Sequence, residues 1–174
     1  MKILGIDPGY AIVGYGVLSF DNNKFRHIQS GVLTTPPGLP MEERLLRIFD
    51  GVSSVLEGHA PDAFAIEELF FHSNRTTAVN VCQARGVILL AASLAHVPVY
   101  EYTPLQVKQA VVGYGRAEKH QVMEMTRVVL GLPRIVKPDD ASDALAIAIC
   151  HGYAGFSKLN AYSTLEDSKK TGGK

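Results

Sequence analysis

The 174-residue chain has only two cysteines, Cys82 and Cys150, each set in an apolar run with no CxxC pair. That excludes a disulfide framework and fits a reducing compartment. Long apolar runs are missing as well. The most apolar window, GVILLAASLAHVPV, is short for a membrane span and follows Arg85. The opening MKILGID has the pattern of a strand rather than of a signal peptide. The expectation is a cytoplasmic protein with no membrane partner. There is no Walker loop and no GxSxG elbow. The six histidines are scattered and the cysteines lie far apart, so no zinc set is offered. Net charge is absent too, with 17 basic residues against 17 acidic ones.

Neutrality overall conceals a local imbalance. Residues 103–137 hold Lys108, Arg116, Lys119, Arg127, Arg134 and Lys137 against Glu118 and Glu124, an excess of four positive charges. Such a surface attracts phosphate even on a neutral chain, although a solvated helix face has the same composition. At 47% apolar and 20% charged residues, the chain has the make-up of one soluble globular domain. The segment 157–174, SKLNAYSTLEDSKKTGGK, is polar and rich in Lys, Ser and Gly, and is expected to be a poorly ordered tail.

Periodicity predicts strands at 2–7, 13–20 and 25–35, joined by Asp-Pro-Gly and DNNK turns as an antiparallel meander. A helix over 41–57 follows, with Leu45, Phe49, Val52 and Leu56 on one face. DAFAIEELF is a fourth strand, residues 76–97 form a long helix, and VPVYEY is a fifth strand. Thr103, Pro104 and Gln106 make the start of a capped helix that ends near Gly113. Two more helices are expected, from about Glu118 to Leu130 and from Asp139 or Asp140 to about Tyr153. The order β-β-β-α-β-α-β-α-α-α implies an α/β fold with a mixed five-stranded sheet flanked by helices. The long helix is apolar on most of its circumference, so it is expected to be buried on a second side, by another subunit or by the later helices.

Within the apolar stretch ILGIDPGYAIVGYGVL stands Asp7, where an unpaired carboxylate is costly. Alternation puts Asp7 on the face of Ile3 and Gly5, and Glu67 on the face of Ala63 and Ala65. Asp140 and Asp143, three apart in KPDDASDALAIAI, share a helix face with Ala144 and Ile147. Singly, each has an ordinary explanation as a turn residue, a strand end or a helix-capping acid. Together they imply four carboxylates converging on a packed surface, which resist ionising together unless a cation neutralises them. Oxygen-only ligands suit Mg²⁺ or Mn²⁺. A pair of such ions activates a water and stabilises a leaving 3′ oxygen at a phosphodiester, with no nucleophilic side chain needed.

ILGIDPG, GYGV, FAIEELFF, QARGV, VPVYEYTPLQVKQAVVGYGRAEKHQV and DASDALAIAI occur in this order across almost all of residues 2–154. In this the chain resembles the RuvC-type Holliday-junction resolvases of the ribonuclease-H-like superfamily. The resemblance implies a ribonuclease-H-like nuclease domain over residues 1–156. It implies Asp7, Glu67, Asp140 and Asp143 as metal-binding catalytic acids holding two Mg²⁺ ions, with Mn²⁺ as a substitute. Glu68 and Asp139 are close decoys. Lys108 and Lys119 match basic residues near the scissile phosphate, Arg116 belongs to the same basic segment, and Phe70 matches an aromatic that stacks on junction bases, with Phe71 assigned to the core. The implied activity is paired nicking of like strands in a four-way DNA junction, leaving 5′-phosphate and 3′-hydroxyl ends, during recombination and repair. The implied assembly is a homodimer working with the branch-migration proteins RuvA and RuvB.

Three other readings compete. Phosphate-loop ATPases of the actin and sugar-kinase type share the first motif but need two similar domains, and this chain shows no repeat. Ribonuclease-H-like nucleases acting on structured RNA share the first motif but match AIEELFF and DASDALAIAI less well. A non-catalytic junction-binding module would lack one of the acids, and all four positions are filled.

Overall fold

Three strands open the chain as the expected meander. β1 (Lys2–Asp7) pairs antiparallel with β2 (Ile12–Asp21), and β2 pairs antiparallel with β3 (Lys24–Thr34). The β2–β3 turn is Asn22–Asn23, both at positive φ (47° and 62°). A two-residue hairpin needs that conformation and Asn tolerates it. This computed structural model describes residues 1–69 and 75–154, without the side chains of 75–77. Phe70, Phe71 and the segment 157–174 lie outside the described residues.

Helix α1 (Met41–His59) carries Glu42 and Glu43 in its first turn, where the helix dipole favours them. It runs two residues beyond the expected end and stops at Ala60, whose φ of 43° turns the chain. β4 (Ala63–Glu67) is shorter than the nine residues expected and ends on Glu67 itself. α2 (Arg75–Leu94) stops three residues early, because His96 takes a φ of 56° and the Val97 N–H turns back to the Ala92 carbonyl. β5 (Val99–Tyr102) is followed by α3 (Pro104–Val112). Thr103 and Gln106 form the expected reciprocal capping box, and Gly113 at φ 93° ends the helix. α4 (Lys119–Val129) has a second box between Glu118 and Gln121. A last helix, α5, spans residues 139–154.

The sheet order is β3-β2-β1-β4-β5, with β1, β4 and β5 parallel. Alternation along each strand divides the core into two layers. Leu4, Ile6, Val17, Phe64 and Ile66 pack with Ile48 and Val52 of α1 and Ile88 of α2 on one face. Ile3, Leu18, Ala65 and Tyr102 pack with Val107 of α3, Val122 of α4 and Leu145–Cys150 of α5 on the other. The later helices therefore lie across the sheet from α2 and do not cover its outer side.

The contact that places α5 is made by missing side chains. A Cβ on Gly5 would lie 2.1 Å from the Ala144 carbonyl oxygen and 2.8 Å from the Ala148 nitrogen. On Gly14 it would lie 2.0 Å from the Asp140 carbonyl oxygen, and on Gly16 2.9 Å from the Leu145 nitrogen. Gly5 and Gly16 are register partners, and Gly14 is the partner of Asp7. Three glycines thus form a floor on which the backbone of α5 lies directly. We expect Gly5→Ala to cost about 3 kcal/mol or more, since backbone must move to admit the methyl group. A melting point about 10 °C below wild type would show this, and an unchanged one would contradict the packing.

Candidate active site

Each acid is brought to the site by a different constraint. Asp7 is the last residue of β1, on the α5 side of the sheet. Glu67 ends β4 on the same side, one step beyond the last registered β1–β4 pair, Ile6–Ile66. Asp140 and Asp143 sit in the first turns of α5, which the glycine floor holds against β1 and β2. The loop after Asp7 is pinned from behind. Arg44 stacks on the Tyr10 ring at 3.7 Å and its Nε donates to Thr35 Oγ1 at 2.9 Å. Thr35 Oγ1 donates in turn to the Tyr10 carbonyl at 2.7 Å.

The acids feel one another. The carboxyl of Asp7 is pushed up to about 7, first by burial, then by Asp143, Glu67 and Asp140. Glu67 is also pushed up to about 7, first by burial and then by Asp143, with Lys108 and Lys119 pulling the other way. Asp143 is raised by burial, against the opposing pull of Lys119. Lys119 Nζ lies 2.8 Å from Asp143 Oδ2 and 3.8 Å from Asp139 Oδ2. That bond to Asp143 holds the Lys119 ammonium above its ordinary value. Asp139 is exposed to solvent and ion-paired to Lys137 at 2.7 Å, which holds its carboxyl below the usual range. Its second carboxylate oxygen remains 3.8 Å from Lys119 Nζ, so it stands at the margin of the cluster and adds to the rise of Asp143. Glu68 gives its backbone N–H to the Tyr102 carbonyl at 2.9 Å, closing the β4–β5 ladder.

A groove of about 260 Å³ opens beside the acids, lined by Glu67, Asp143, Lys108 and Lys119 over a floor that includes Val107 and Ile147. Arg116 is exposed in the α3–α4 connection, outside that lining. Phe70 falls outside the described residues. The basic surface is smaller than the charge count implies. Arg127 is tied to Glu124 at 2.6 Å and to the Leu132 carbonyl at 2.9 Å, and Lys137 is tied to Asp139.

Among the described residues, no three His, Cys, Asp or Glu side chains stand as a ready-made metal cage. The chemistry of the set nevertheless fits a hard divalent cation. The donors are all carboxylate oxygens, and burial together with neighbouring acids raises the carboxyls of Asp7, Glu67 and Asp143. A cation is already bonded into the cluster, since the ammonium of Lys119 lies on a carboxylate of Asp143.

The four acids and both lysines were candidates from the sequence, and two structural features were not anticipated there. The glycine floor had a visible signal, since Gly14 and Gly16 repeat at the period of a strand opposite Gly5. The buried pair of Tyr102 and His151, whose hydroxyl oxygen and Nδ1 are 2.7 Å apart, had none, because only the fold brings residues 49 apart together.

Comparison with known proteins gives a consistent result. The family model described as crossover junction endodeoxyribonuclease RuvC matches residues 3–151. A RuvC of that description from Rubrobacter xylanophilus is 57% identical over 152 residues, covering 87% of this chain and 85% of its own. One from Brevibacillus brevis is 58% identical over 151 residues, covering 87% and 91%. Thermus thermophilus RuvC, solved in complex with a Holliday junction substrate, superposes with a TM-score of 0.85 at 42% identity, over 89% of this chain and 94% of that one. The yeast mitochondrial Holliday junction resolvase Ydc2 shares the fold at a TM-score of 0.63 and 13% identity, over 86% of this chain and 77% of that one. The mixed sheet flanked by helices is thus the ribonuclease-H-like fold, and this chain belongs to the family of the crossover junction endodeoxyribonuclease RuvC.

Proposed function

We propose that this chain is a structure-selective DNA endonuclease that resolves Holliday junctions by paired, metal-dependent nicking of two like strands. The observation that carries the reading is the cluster of Asp7, Glu67 and Asp143, drawn from two strands and a helix, at the edge of a groove walled by Lys108 and Lys119. Asp7, Glu67, Asp140 and Asp143 are the residues that would hold Mg²⁺, or Mn²⁺ in its place, as two ions per site. When bound, the ions supply an activated water and neutralise charge at the phosphate, leaving 5′-phosphate and 3′-hydroxyl ends. The chain's own residues do the rest. The carboxylates set the place of attack at the rigid end of the sheet. Lys119 balances Asp143, and Lys108 offers a second positive charge to the phosphodiester. Arg116 and Phe70 are assigned to contacts with the DNA beyond the scissile bond.

The homodimer is read from α2. Its outer side exposes Val79 (57%), Leu90 (51%) and Leu94 (61%), together with Cys82 and Gly86. These recur at helical spacing on a side that the later helices leave open. Two copies joined there would present two sites to a substrate that is itself nearly twofold symmetric. RuvA and RuvB are the partners this assignment implies. Among the described residues no helix is long and apolar enough to cross a membrane, and a cytoplasmic setting agrees with the DNA substrate.

The first test is a synthetic four-way junction with Mg²⁺. Asp7→Asn should bind it within about twofold of wild type and cut it at least about a thousandfold more slowly. Equal cutting would remove Asp7 from the chemistry, and a wild type that binds but cuts no junction would point to a non-catalytic module.

Proton linkage supplies the second. A carboxyl whose pKa is raised by folding takes up protons on folding, so its cost is absent below about pH 3 and grows as pH rises from its ordinary value of 3.8 toward 7. Without divalent metal, Asp7→Asn should therefore melt about 5 °C above wild type at pH 8, and the gain should shrink as pH falls and vanish below about pH 3. A gain that is constant with pH would mean that Asp7 is not strained by its neighbours.

The third concerns assembly. Sedimentation should show a wild-type dimer and a monomeric Leu90→Glu/Leu94→Glu variant, with loss of coordinated double nicking. A monomeric wild type would refute the α2 interface.

A further inference from the structure

α5 carries the site's two aspartates at its start, and two turns further on, about 12 Å along the axis, it carries His151. His151 is buried, with 5% of its surface exposed. Its Nδ1 stands 2.7 Å from the hydroxyl oxygen of Tyr102, and its ring lies against Tyr100 with centroids 4.4 Å apart. Both tyrosines belong to β5 and point to the α5 side of the sheet. Tyr102 is the register partner of Glu67 on β4, and its carbonyl accepts the N–H of Glu68. The strand end that holds Glu67 is thus hydrogen-bonded, through one neighbouring residue, to the helix that holds Asp140 and Asp143.

This contact differs from the rest of the α5 interface. Leu145 and Ile147 meet the sheet through apolar packing, and the backbone of Ala144 and Ala148 lies over Gly5; these contacts fix the distance of approach but carry no directional optimum along the helix axis. A buried hydrogen bond has a short, directional optimum and a heavy penalty when broken. It sits on the β4–β5 side of the helix, whereas the glycine floor lies on the β1–β2 side. The floor sets how closely α5 approaches Asp7. It leaves the separation from Glu67 to another constraint.

We infer that the Tyr102–His151 pair is a positioning tie that fixes Glu67 relative to Asp143. The tie touches no substrate and acts through the elements it joins. It rests on the nuclease reading of the acid cluster. Burial pushes the Tyr102 hydroxyl up to about 12, so it stays a neutral phenol across the working range of the protein.

The full chain is compared as wild type, Tyr102→Phe, His151→Ala and His151→Asn, the last keeping a polar atom near the place of Nδ1. Cleavage of a four-way junction is followed with the junction and Mg²⁺ each varied, junction affinity is measured in Ca²⁺, and melting is recorded for each variant. Tyr102→Phe and His151→Ala should each lower kcat about tenfold, with KM and junction affinity within about twofold. Both should raise the Mg²⁺ concentration that gives half the maximal rate. The double variant Tyr102→Phe/His151→Ala should be no slower than either single one, and His151→Asn should recover most of the rate. Tyr102→Phe removes one oxygen and keeps the ring, so it decides the matter even if His151→Ala fails to fold. Unchanged kcat and Mg²⁺ dependence in a folded Tyr102→Phe would overturn the tie, as would a rate loss that only tracks a lower melting point. A wild type that binds but does not cut would overturn the nuclease reading and the tie together. A wild type that cuts, beside equally active variants, would overturn the tie alone.

Discussion

Everything at the site depends on how closely one helix can lie on the sheet. α5 rests directly over Gly5, Gly14 and Gly16, where side chains would need the space occupied by the Ala144 and Asp140 carbonyls and by Leu145. Had those positions carried even alanine, the helix would stand off, and the aspartates at its start would move away from Asp7. A helix normally packs on a sheet through interdigitating side chains, which leaves room for adjustment. Here the adjustment in the distance between helix and sheet has been removed. The same glycines that look like weak points in a strand therefore set the geometry of the acids.

That closeness has an electrostatic cost, visible in the raised carboxyls of Asp7, Glu67 and Asp143. Burial is the largest cause for each, and the mutual repulsion of the acids adds to it. Lys119 offsets part of the repulsion through its bond to Asp143, and Lys108 does the same for Glu67 at longer range. The fold stabilises the arrangement elsewhere, through two apolar layers on either side of the sheet. Such a division between a stable scaffold and a strained cluster is what a site prepared for a positive partner requires.

Much of this was legible in the chain. The strand and helix order, the capping box at Thr103 and the face shared by Asp140, Asp143, Ala144 and Ile147 all follow from local periodicity and turn chemistry. The shorter β4 and the earlier end of α2 were not, because β4 loses its partner where β5 ends at Tyr102 and the backbone turns at His96, and neither has a local signature. The basic segment was only partly legible. Its charges could be counted, but the partners that occupy Arg127 and Lys137 emerge only from packing and local ion pairing.

By itself the sequence determined which residue types would face which way along each element, since a strand alternates and a helix repeats whatever lies around it. That was enough to put Asp7 and Glu67 on inward faces and Asp140 beside Asp143. The tertiary structure alone decided which of these faces meet. The meeting of Tyr102 with His151, the turn of Asp139 toward Lys137, and the open side of α2 depend on the order of strands in the sheet and on which helices cover each face. Those are long-range choices, made by burial summed over the whole core, and no short window of residues contains them.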